Sequence, residues 1–238
     1  SPFLINAVRP EQIRLLIANS DNSTEVRHLH RKDDIPVRVL QNMGVENIYL
    51  FFARTLILAE GQTEEEFINK YFIRSTSRTL SSKLVRIINV DGIQNIPGFA
   101  RGILEVHKPE NILVVCDNDA SEEVQQLITV LRIDENRRFI VGEKEFEDGF
   151  SDETLFKCWS DYHITHNRDC PANWTAENIR QVRQECAEHN LKFSREIKKL
   201  NAGGKKMTKP IFGTALAEFV NHDQLPLQLG RLFDFLMS

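Results

Sequence analysis

The sequence lacks the cysteine pairs and long hydrophobic runs that mark several large classes of protein. Its four cysteines stand at positions 116, 158, 170 and 186 and form no CxxC pair. No stretch resembles a signal peptide or a continuous membrane-spanning segment. We therefore expect a soluble protein of the reducing cytoplasm, with no membrane partner.

The sequence also lacks an excess of positive charge. Thirty basic residues stand against thirty-four acidic ones, for a net charge of -4 over 238 residues. This balance excludes a uniformly basic nucleic-acid binder but leaves local basic patches open. With 41% apolar residues, the chain can bury a sizeable core in one elaborated domain or two small ones.

Short apolar runs alternate with stretches of helical spacing in the middle of the chain. Runs of this length, bounded by turn residues, suit strands that helices cover. Their alternation predicts right-handed crossovers and an α/β fold, a parallel sheet flanked by helices. The spacing stays helical from Asp152 to Leu200, around a Cys/His-bearing loop between Trp159 and Trp174. The predicted strands are Thr55–Ala59, Lys83–Val90, Asn111–Asp117 and Arg138–Val141; the predicted helices include Thr63–Ser75, Pro97–His107, Ser121–Arg132 and Phe212–Val220.

The first fifty residues follow a different pattern. Gln12–Asn19 and Glu25–His30 are predicted to be two short strands joined by a polar turn, and Asp33–Phe52 is predicted to be a linker. This segment shows no coherent acidic or glycine-rich site of its own.

Acidic residues directly follow two of the predicted strands. Glu60 comes after Thr55–Ala59, while Asp117 and Asp119 end the run that begins at Asn111. Ligands of parallel sheets bind beyond the carboxyl ends of the strands. Alternation along an extended chain puts Asp117 and Asp119 on one side, where their charges repel unless a cation lies between them. Carboxylate oxygens suit Mg²⁺ or Mn²⁺, so the pattern predicts a divalent-metal site.

Three consecutive glutamates open the next predicted helix. Glu64 shares a helical face with the apolar residues that must pack on the sheet, so it is predicted to face the metal. Glu65 and Glu66 are predicted to be solvated first-turn residues, with Thr63 and Glu66 forming a capping box.

A third acidic cluster follows the strand Arg138–Val141. The alternation Glu145-Phe146-Glu147 would bury Phe146 on one side and point both glutamates to the other. Whether Glu145, Glu147 or Asp148 is the main ligand stays open at this stage.

Basic residues concentrate in residues 192–209, where seven stand against the single acid Glu196. Such a patch can neutralise DNA phosphates and make binding strongly salt-dependent. The candidate DNA-binding residues are Lys198, Lys199, Lys205, Lys206 and Lys209. A second set, Cys158, His163, His166 and Cys170, has the residue types of a zinc site, but its spacing matches no common finger, so packing roles are favoured.

Together these segments resemble the TOPRIM domain of the overcoming-lysogenization-defect (OLD) family of nucleases. The resemblance covers roughly residues 50–220, and the order and spacing of its segments are more specific than any one of them. Two positions depart from the commonest family pattern: Ala59 replaces a larger aliphatic residue, and Asp148 replaces a frequent asparagine. The segments are Leu56-Ile57-Leu58-Ala59-Glu60-Gly61-Gln62-Thr63-Glu64, Asp117-Asn118-Asp119, Lys144-Glu145-Phe146-Glu147-Asp148 and Lys209-Pro210.

The resemblance implies two-metal hydrolysis of DNA phosphodiesters, with two Mg²⁺ or Mn²⁺ ions as cofactors and a role in antiviral defence or DNA processing. Lys209 matches the family's lysine near the scissile phosphate. Motif matching gives Glu60, Glu64, Asp117, Asp119, Glu145 and Glu147 as candidate ligands or bases.

The residues Ser1–Asn6 resemble the segment after the histidine switch of an ABC-type ATPase. We therefore expect residues 1–50 to be the tail of an ATPase domain and a linker, 51–150 the TOPRIM core, 151–207 a helical insertion and 208–238 the closing helices. The ATPase domain of a longer, dimeric protein is an expected partner. The sequence has no Walker A motif, so this chain is not expected to bind ATP itself.

Two alternatives remain at this stage. A topoisomerase-type TOPRIM domain needs a nucleophilic tyrosine, and neither Tyr49, Tyr71 nor Tyr162 lies in a supporting motif. A primase would add a zinc module. A receiver-like regulatory module would bind Mg²⁺ in an acidic pocket, but its paired acids follow the first strand, whereas here Glu60 comes first and the Asp-x-Asp pair later.

Overall fold

The computed structural model describes residues 14–18, 23–28, 53–90, 92, 103–104, 107–118, 132–204 and 206–238. Its strands are β1 (Arg14–Ala18), β2 (Thr24–His28), β3 (Thr55–Ala59), β4 (Val85–Asn89), β5 (Ile112–Asp117) and β6 (Arg138–Val141). Its α-helices are α1 (Gln62–Thr76), α2 (Asp152–Thr165), α3 (Ala176–His189), α4 (Phe193–Leu200), α5 (Lys209–Phe219) and α6 (Leu227–Met237).

Two separate sheets follow from these strands. β1 and β2 pair antiparallel, which confirms the two short strands predicted in the first fifty residues. The other four strands form one parallel sheet in the order β4-β3-β5-β6. The predicted α/β fold, a parallel sheet flanked by helices, is confirmed.

The central strands β3 and β5 are continuous apolar runs because both of their faces are covered. Leu56–Ala59 and Ile112–Cys116 are buried throughout. Alternating polar positions would instead mark a sheet with one solvated face, so this pattern identifies the middle of a covered parallel sheet.

The strand order creates a crevice at the carboxyl edge of the sheet. The chain runs from β3 to β4 on one side, then returns past β3 to β5 on the other side. The segments that leave β3 and β5 therefore diverge, and the crevice between them is where open α/β sheets bind ligands. Glu60 follows β3 and Asp117 ends β5, so both acidic residues lie at this crevice.

Helix α1 packs its apolar face on the core with Phe67, Ile68, Tyr71 and Phe72 buried. The predicted capping box of Thr63 and Glu66 is wrong. The helix begins one residue earlier than predicted, its N-cap is Gly61, and no side chain caps it.

The helical region after residue 150 is confirmed, with one correction. Helix α2 extends to Thr165, so His163 lies on a helix and not in the predicted loop between Trp159 and Trp174. Ser151 and Thr175 cap α2 and α3 through hydrogen bonds to Thr154 N and Asn178 N.

Two other predicted helices lie largely outside the described residues. These are Ser121–Arg132 and Pro97–His107, of which Ile103 and Leu104 are described and helical. The predicted linker Asp33–Phe52 also lies outside them. Among the described residues, no helix is both long enough and apolar enough to span a membrane.

An aromatic cluster joins α1 to the rest of the core. The Phe67 ring makes edge contacts with Phe146 and Phe150, at centroid distances of 5.3 and 5.5 Å, and a tilted contact with Phe233 of α6 at 6.2 Å. Each fully buried aromatic contributes on the order of 2 kcal/mol. The cluster therefore fixes the turn that carries Phe146 against the helix that carries Glu64.

Helices α1 and α5 approach each other closely at Gly213. A Cβ atom at this position would lie 2.8 Å from the Thr63 carbonyl oxygen and 3.1 Å from Thr63 Cγ2. Glycine at position 213 is therefore required for α5 to lie against the first turn of α1.

We expect Gly213→Ala to destabilise the protein by about 1–3 kcal/mol, because the added methyl would meet backbone. Gly230→Ala is the matched control, since Gly230 also lies in a helix but its added Cβ would meet open space. That control should stabilise by about 0.5–1 kcal/mol. Urea unfolding of both variants tests the close approach, and equal effects would contradict it.

Candidate metal centre

Glu60 connects the two central strands at the crevice. Its backbone N–H donates to the Val115 carbonyl at 3.1 Å, and its own carbonyl accepts from Gly92 N at 2.9 Å. Its carboxylate oxygen Oε2 accepts from Asp117 N at 3.0 Å. The side chain of Glu60 therefore points across the end of β5, toward the second acidic position.

Asp117 is buried at the end of β5, and its register partner on β6 is Val141. The residues that follow β6 therefore begin beside Asp117. Asp119, the other predicted ligand of this pair, lies outside the described residues.

Glu64 reaches the same site from the first turn of α1. Its Oε2 atom would lie 3.1 Å from a Cβ at Gly61, so the carboxylate lies back over the helix N-terminus. The pKa of Glu64 is raised from 4.5 to about 7, chiefly by burial and also by the charges of Glu147 and Glu60, against a backbone hydrogen bond and Lys209 that lower it. The prediction that Glu64 faces the acidic site is supported by this placement.

Glu65 is not the solvated residue that the sequence predicted. It is half-buried and hydrogen-bonded to Asn89 of β4. Burial raises its pKa, although the bond to Asn89 acts the other way. Its side chain lies along the edge of the sheet because helix α1 begins earlier than predicted.

The third acidic cluster lies in a tight turn that Asp148 organises. The Asp148 carboxylate accepts hydrogen bonds from the backbone N–H groups of Glu143, Lys144 and Glu145, at 2.5, 3.0 and 2.9 Å. Gly142 enters the turn at φ +78°, where a Cβ atom would lie 2.0 Å from the Glu145 carbonyl oxygen. Asp148 therefore shapes the backbone of the turn.

The prediction of an extended Glu145-Phe146-Glu147 segment is wrong. Residues Phe146–Gly149 form a 3-10 turn, and Phe146 and both glutamates are buried. A turn of this kind does not alternate its side chains between two faces, so the two glutamates have different surroundings.

Glu145 is bound by the helical insertion. Its Oε2 accepts from Ser194 N at 2.7 Å, and its Oε1 accepts from Ser194 Oγ at 2.6 Å. Glu147 is only 2% exposed, and burial raises its pKa against the charges of Lys209 and Lys198, which lower it. Glu147 is thus in the electrostatic environment of both lysines, and Glu145 also acts on Lys209.

Lys209 brings the three acidic clusters together. It is the first residue of α5, which Thr208 caps by accepting from Ile211 N. The positive charge of a lysine is unfavourable at the positive N-terminal end of a helix dipole, so nearby negative charge must offset it. Desolvation lowers the pKa of Lys209, but the nearby charges of Glu147, Glu145, Glu64 and Asp117 outweigh it and the pKa is raised.

The donor chemistry of this site fits a divalent cation. Its carboxylates are oxygen ligands of the kind that Mg²⁺ and Mn²⁺ prefer. Burial, and then the repulsion between them, raises the pKa values of Glu64 and Glu147, and a bound cation would favour their ionised forms. Within the described residues, no three Asp, Glu, His or Cys side chains converge closely enough to hold one ion.

The structure places the predicted basic residues unequally. Lys198 is half-buried beside Glu147, whereas Lys199 and Lys206 are exposed. Lys199 also pairs with Glu196 on its own helix. Lys205 lies outside the described residues.

Sequence reasoning missed two residues that support the site, Ser194 and Arg183. Arg183 of α3 donates to the carbonyls of Asp148 and Phe150, at 2.7 and 2.8 Å, and to Asp152 Oδ1 at 2.8 Å. Its guanidinium also lies 4.6 Å from the ring centroid of Phe193. Both residues bond to partners more than thirty positions away in the sequence, and no local sequence pattern predicts such contacts.

The zinc candidates in and just after α2 are engaged in the packing of the protein. His163 Nδ1 is hydrogen-bonded to the Asp169 carbonyl and His166 Nδ1 to the Tyr162 carbonyl. Burial raises the pKa of Cys158 to about 12, so it is a poor source of thiolate. No group of three potential ligands forms among the described residues, which include all four candidates.

The tyrosines that the structure describes are not placed as nucleophiles. Tyr71 is buried and stacked on Phe67, and Tyr162 is buried and stacked on Trp159. Tyr49 lies outside the described residues. Neither Tyr71 nor Tyr162 therefore supports the strand-passage alternative.

The four-stranded parallel sheet is flanked by helices and carries acidic residues at the crevice along its carboxyl edge. With the family-model match, these features define the class, a TOPRIM-type α/β domain. Residues 51–119 match the family model described as overcoming lysogenization defect protein-like, TOPRIM domain. This match agrees, over residues 51–119, with the resemblance to the OLD-family TOPRIM domain that the sequence predicted.

Two solved structures are similar to the chain. The C-terminal region of the Burkholderia pseudomallei OLD protein is 19% identical, over 78% of this chain and 98% of that chain, with a TM-score of 0.49. The C-terminal region of the Xanthomonas campestris pv. campestris OLD protein is 17% identical, over 78% and 95%, with a TM-score of 0.48. No curated protein matches the chain.

The raised pKa of Glu64 predicts a pH dependence of the metal-free protein. Glu64 has a pKa of about 7 in the folded protein and an ordinary value of 4.5 in the unfolded chain. The folded protein therefore loses stability as the pH rises from 4.5 to 7, because over this range the unfolded state ionises and the folded state does not. Glu64→Gln should be more stable than the parent by on the order of 2 kcal/mol at pH 8, and nearly equal at pH 4.

Urea unfolding in EDTA across this pH range measures the difference. Glu66→Gln, two residues further along the same helix, is the control and should keep the parent's pH dependence. Parallel pH profiles of Glu64→Gln and the parent would contradict the prediction.

Proposed function

We propose that this chain is a metal-dependent DNA endonuclease domain that nicks or cuts duplex DNA. One observation carries the proposal: buried carboxylates that follow three strands of the sheet share one electrostatic environment with Lys209 in an OLD-like TOPRIM domain. A carboxylate cluster with a neighbouring lysine suits the hydrolysis of a phosphodiester, because that reaction concentrates negative charge on oxygen.

Each group would have a distinct task. Glu60, Glu64, Asp117, Asp119 and Glu147 would hold two Mg²⁺ or Mn²⁺ ions. Bound there, the ions would lower the pKa of a water and stabilise the leaving oxygen. Lys209 would offset the charge that develops on the scissile phosphate, because its exposed side chain can contact DNA while its charge stays beside the carboxylates.

DNA would lie along a basic surface next to this site, defined as Lys198, Lys199, Lys205, Lys206 and Lys209. The exposure of Lys199 and Lys206 and the position of Lys198 beside Glu147 support this interface. Lysines at such positions neutralise phosphates without reading sequence.

The family supports a proposal for the larger assembly. Residues 1–50 would connect to an ATPase domain of the same protein, 51–150 would form the catalytic core, 151–207 a helical insertion and 208–238 the closing helices. The full protein would act as a cytoplasmic homodimer in antiviral defence or DNA processing, and ATP would bind outside this chain.

Cleavage of supercoiled plasmid tests the enzyme directly. With Mg²⁺ or Mn²⁺ we expect nicked and linear products, and none with EDTA. Glu60→Ala, Asp117→Ala and Lys209→Ala should each lower the rate about 100-fold or more, because each removes charge that the transition state needs.

Glu66→Gln serves as the matched control, because it removes one negative charge from the same helix without touching the proposed ligands. It should retain the parent's activity. Two results together would overturn the proposal. The parent would cleave no plasmid with either metal, and it would show no Mn²⁺ binding that the Asp117→Ala substitution removes.

The basic surface predicts how DNA binding depends on salt. In the absence of cleavage, with Ca²⁺ present, Lys199→Gln/Lys206→Gln should bind duplex DNA more weakly. The slope of log affinity against log salt should fall by about 0.9 for each phosphate that the variant no longer neutralises. Lys70→Gln/Lys157→Gln removes two exposed lysines elsewhere and should keep the parent's slope. Equal slopes in both double variants would exclude this surface.

A further inference from the structure

The carboxylate of Glu145 is fully engaged within the protein. Both of its oxygens accept hydrogen bonds from Ser194, at 2.7 and 2.6 Å, and both residues are buried. Charge-assisted bonds of this length are strong. A metal ion bound to Glu145 would have to share these oxygens with the bonds to Ser194, which hold the carboxylate toward α4.

Glu145 performs the task of an N-cap for helix α4. The residue at the N-cap position of α4 is Lys192, whose side chain makes no capping bond. Glu145 supplies the missing acceptor from outside the helix, because it accepts the N–H of Ser194 in the first turn. Its negative charge also lies at the positive end of the helix dipole.

The other end of α4 is also fixed. Asn201, its C-cap residue, accepts a hydrogen bond from Trp159 Nε1 of α2 at 2.9 Å. Phe193 and Ile197 are buried on the inner face of α4, and the Arg183 guanidinium packs on the Phe193 ring. With both ends and one face held, the rotation of α4 about its axis is set.

That rotation determines where Lys198 lies. Lys198 follows the buried Ile197 and is half-buried, whereas Lys192, Arg195 and Lys199 of the same segment are exposed. Helix α4 packs against the turn Phe146–Gly149, and the positive charge of Lys198 acts to lower the pKa of Glu147 in that turn. Lys198 therefore stands with Lys209 beside the proposed reaction site.

We propose that Glu145 is a positioning residue and not a metal ligand: by holding Ser194 it keeps Lys198 of α4 beside Glu147 and Lys209, where both lysines meet the scissile phosphate. The proposal rests on the proposed nuclease function and refines its site. It assigns Ser194 to the same unit and gives Lys198 a role in the reaction beyond general DNA affinity.

The experiment compares Glu145→Gln, Ser194→Ala, Lys198→Gln and the double variant Glu145→Gln/Lys198→Gln. Glu147→Gln is the reference for loss of a ligand. Glu143→Gln, an exposed glutamate of the same turn, is the matched control. Three quantities are measured: the affinity of the metal-free protein for Mn²⁺, the kcat and KM of plasmid cleavage, and hydrogen exchange of the α4 amides.

We expect Glu145→Gln and Ser194→Ala each to lower kcat about 10-fold, as loss of a supporting hydrogen bond does at metal sites. Their Mn²⁺ affinity should stay within about twofold of the parent, while Glu147→Gln loses about 10-fold or more. Exchange of the α4 amides should accelerate in both variants. In the Lys198→Gln background, Glu145→Gln should cause no further loss of kcat, because the effect passes through Lys198.

Two results would overturn the proposal. A loss of Mn²⁺ affinity in Glu145→Gln as large as in Glu147→Gln, with Ser194→Ala unaffected, would make Glu145 a ligand. If the effects of Glu145→Gln and Lys198→Gln on kcat were fully additive, the contact between Glu145 and Ser194 would support the fold without acting through Lys198. Ser194→Ala removes a single hydroxyl and provides the measurement if Glu145→Gln does not fold.

The proposed function and this positioning role fail in different ways. If the parent cleaves no DNA with any metal, the nuclease proposal fails. The Mn²⁺ titration and the amide exchange require no cleavage, so they still decide whether Glu145 holds α4 or binds the ion.

Discussion

The balance of charge at the carboxyl edge of the sheet is the constraint on which the rest of the structure depends. Asp117, Glu64 and Glu147 are buried there, and burying carboxylates is costly unless a positive group compensates them. Lys209 and the N-terminus of α5 supply that charge. The close packing of α5 on α1 at Gly213 serves this requirement, because it brings Lys209 to the first turn of α1.

The helical insertion is part of the same arrangement, since it holds the third acidic turn from outside the sheet. Arg183 bonds two carbonyls of that turn, and Ser194 bonds the Glu145 carboxylate. Strands β3 and β5 fix Glu60 and Asp117 through the sheet itself, but the turn after β6 has no such neighbour beyond it among the described strands. The insertion supplies the missing support, so its removal would loosen Glu147 before it affected the other acids.

The sequence predicted the parts of the site that depend on local chemistry. Strands β3 and β6 match their predicted bounds, because apolar runs bounded by turn residues leave little choice of structure. Glu65 was placed wrongly because the start of α1 depends on Gly61 and the edge of the sheet, and not on a capping motif. The contact of Glu145 with Ser194 joins positions forty-nine residues apart, and tertiary packing alone creates it.

Consecutive acids in a sequence are easily read as a set of equivalent ligands, yet Glu145, Glu147 and Asp148 have three different environments. Asp148 uses its oxygens on backbone N–H groups, Glu145 uses both of its oxygens on Ser194, and Glu147 remains beside the two lysines. Each carboxylate has a limited number of lone pairs, and every bond made within the fold leaves one fewer for a cation. The three neighbouring acids therefore differ in how many of their lone pairs the fold already uses, a difference that their spacing in the sequence does not reveal.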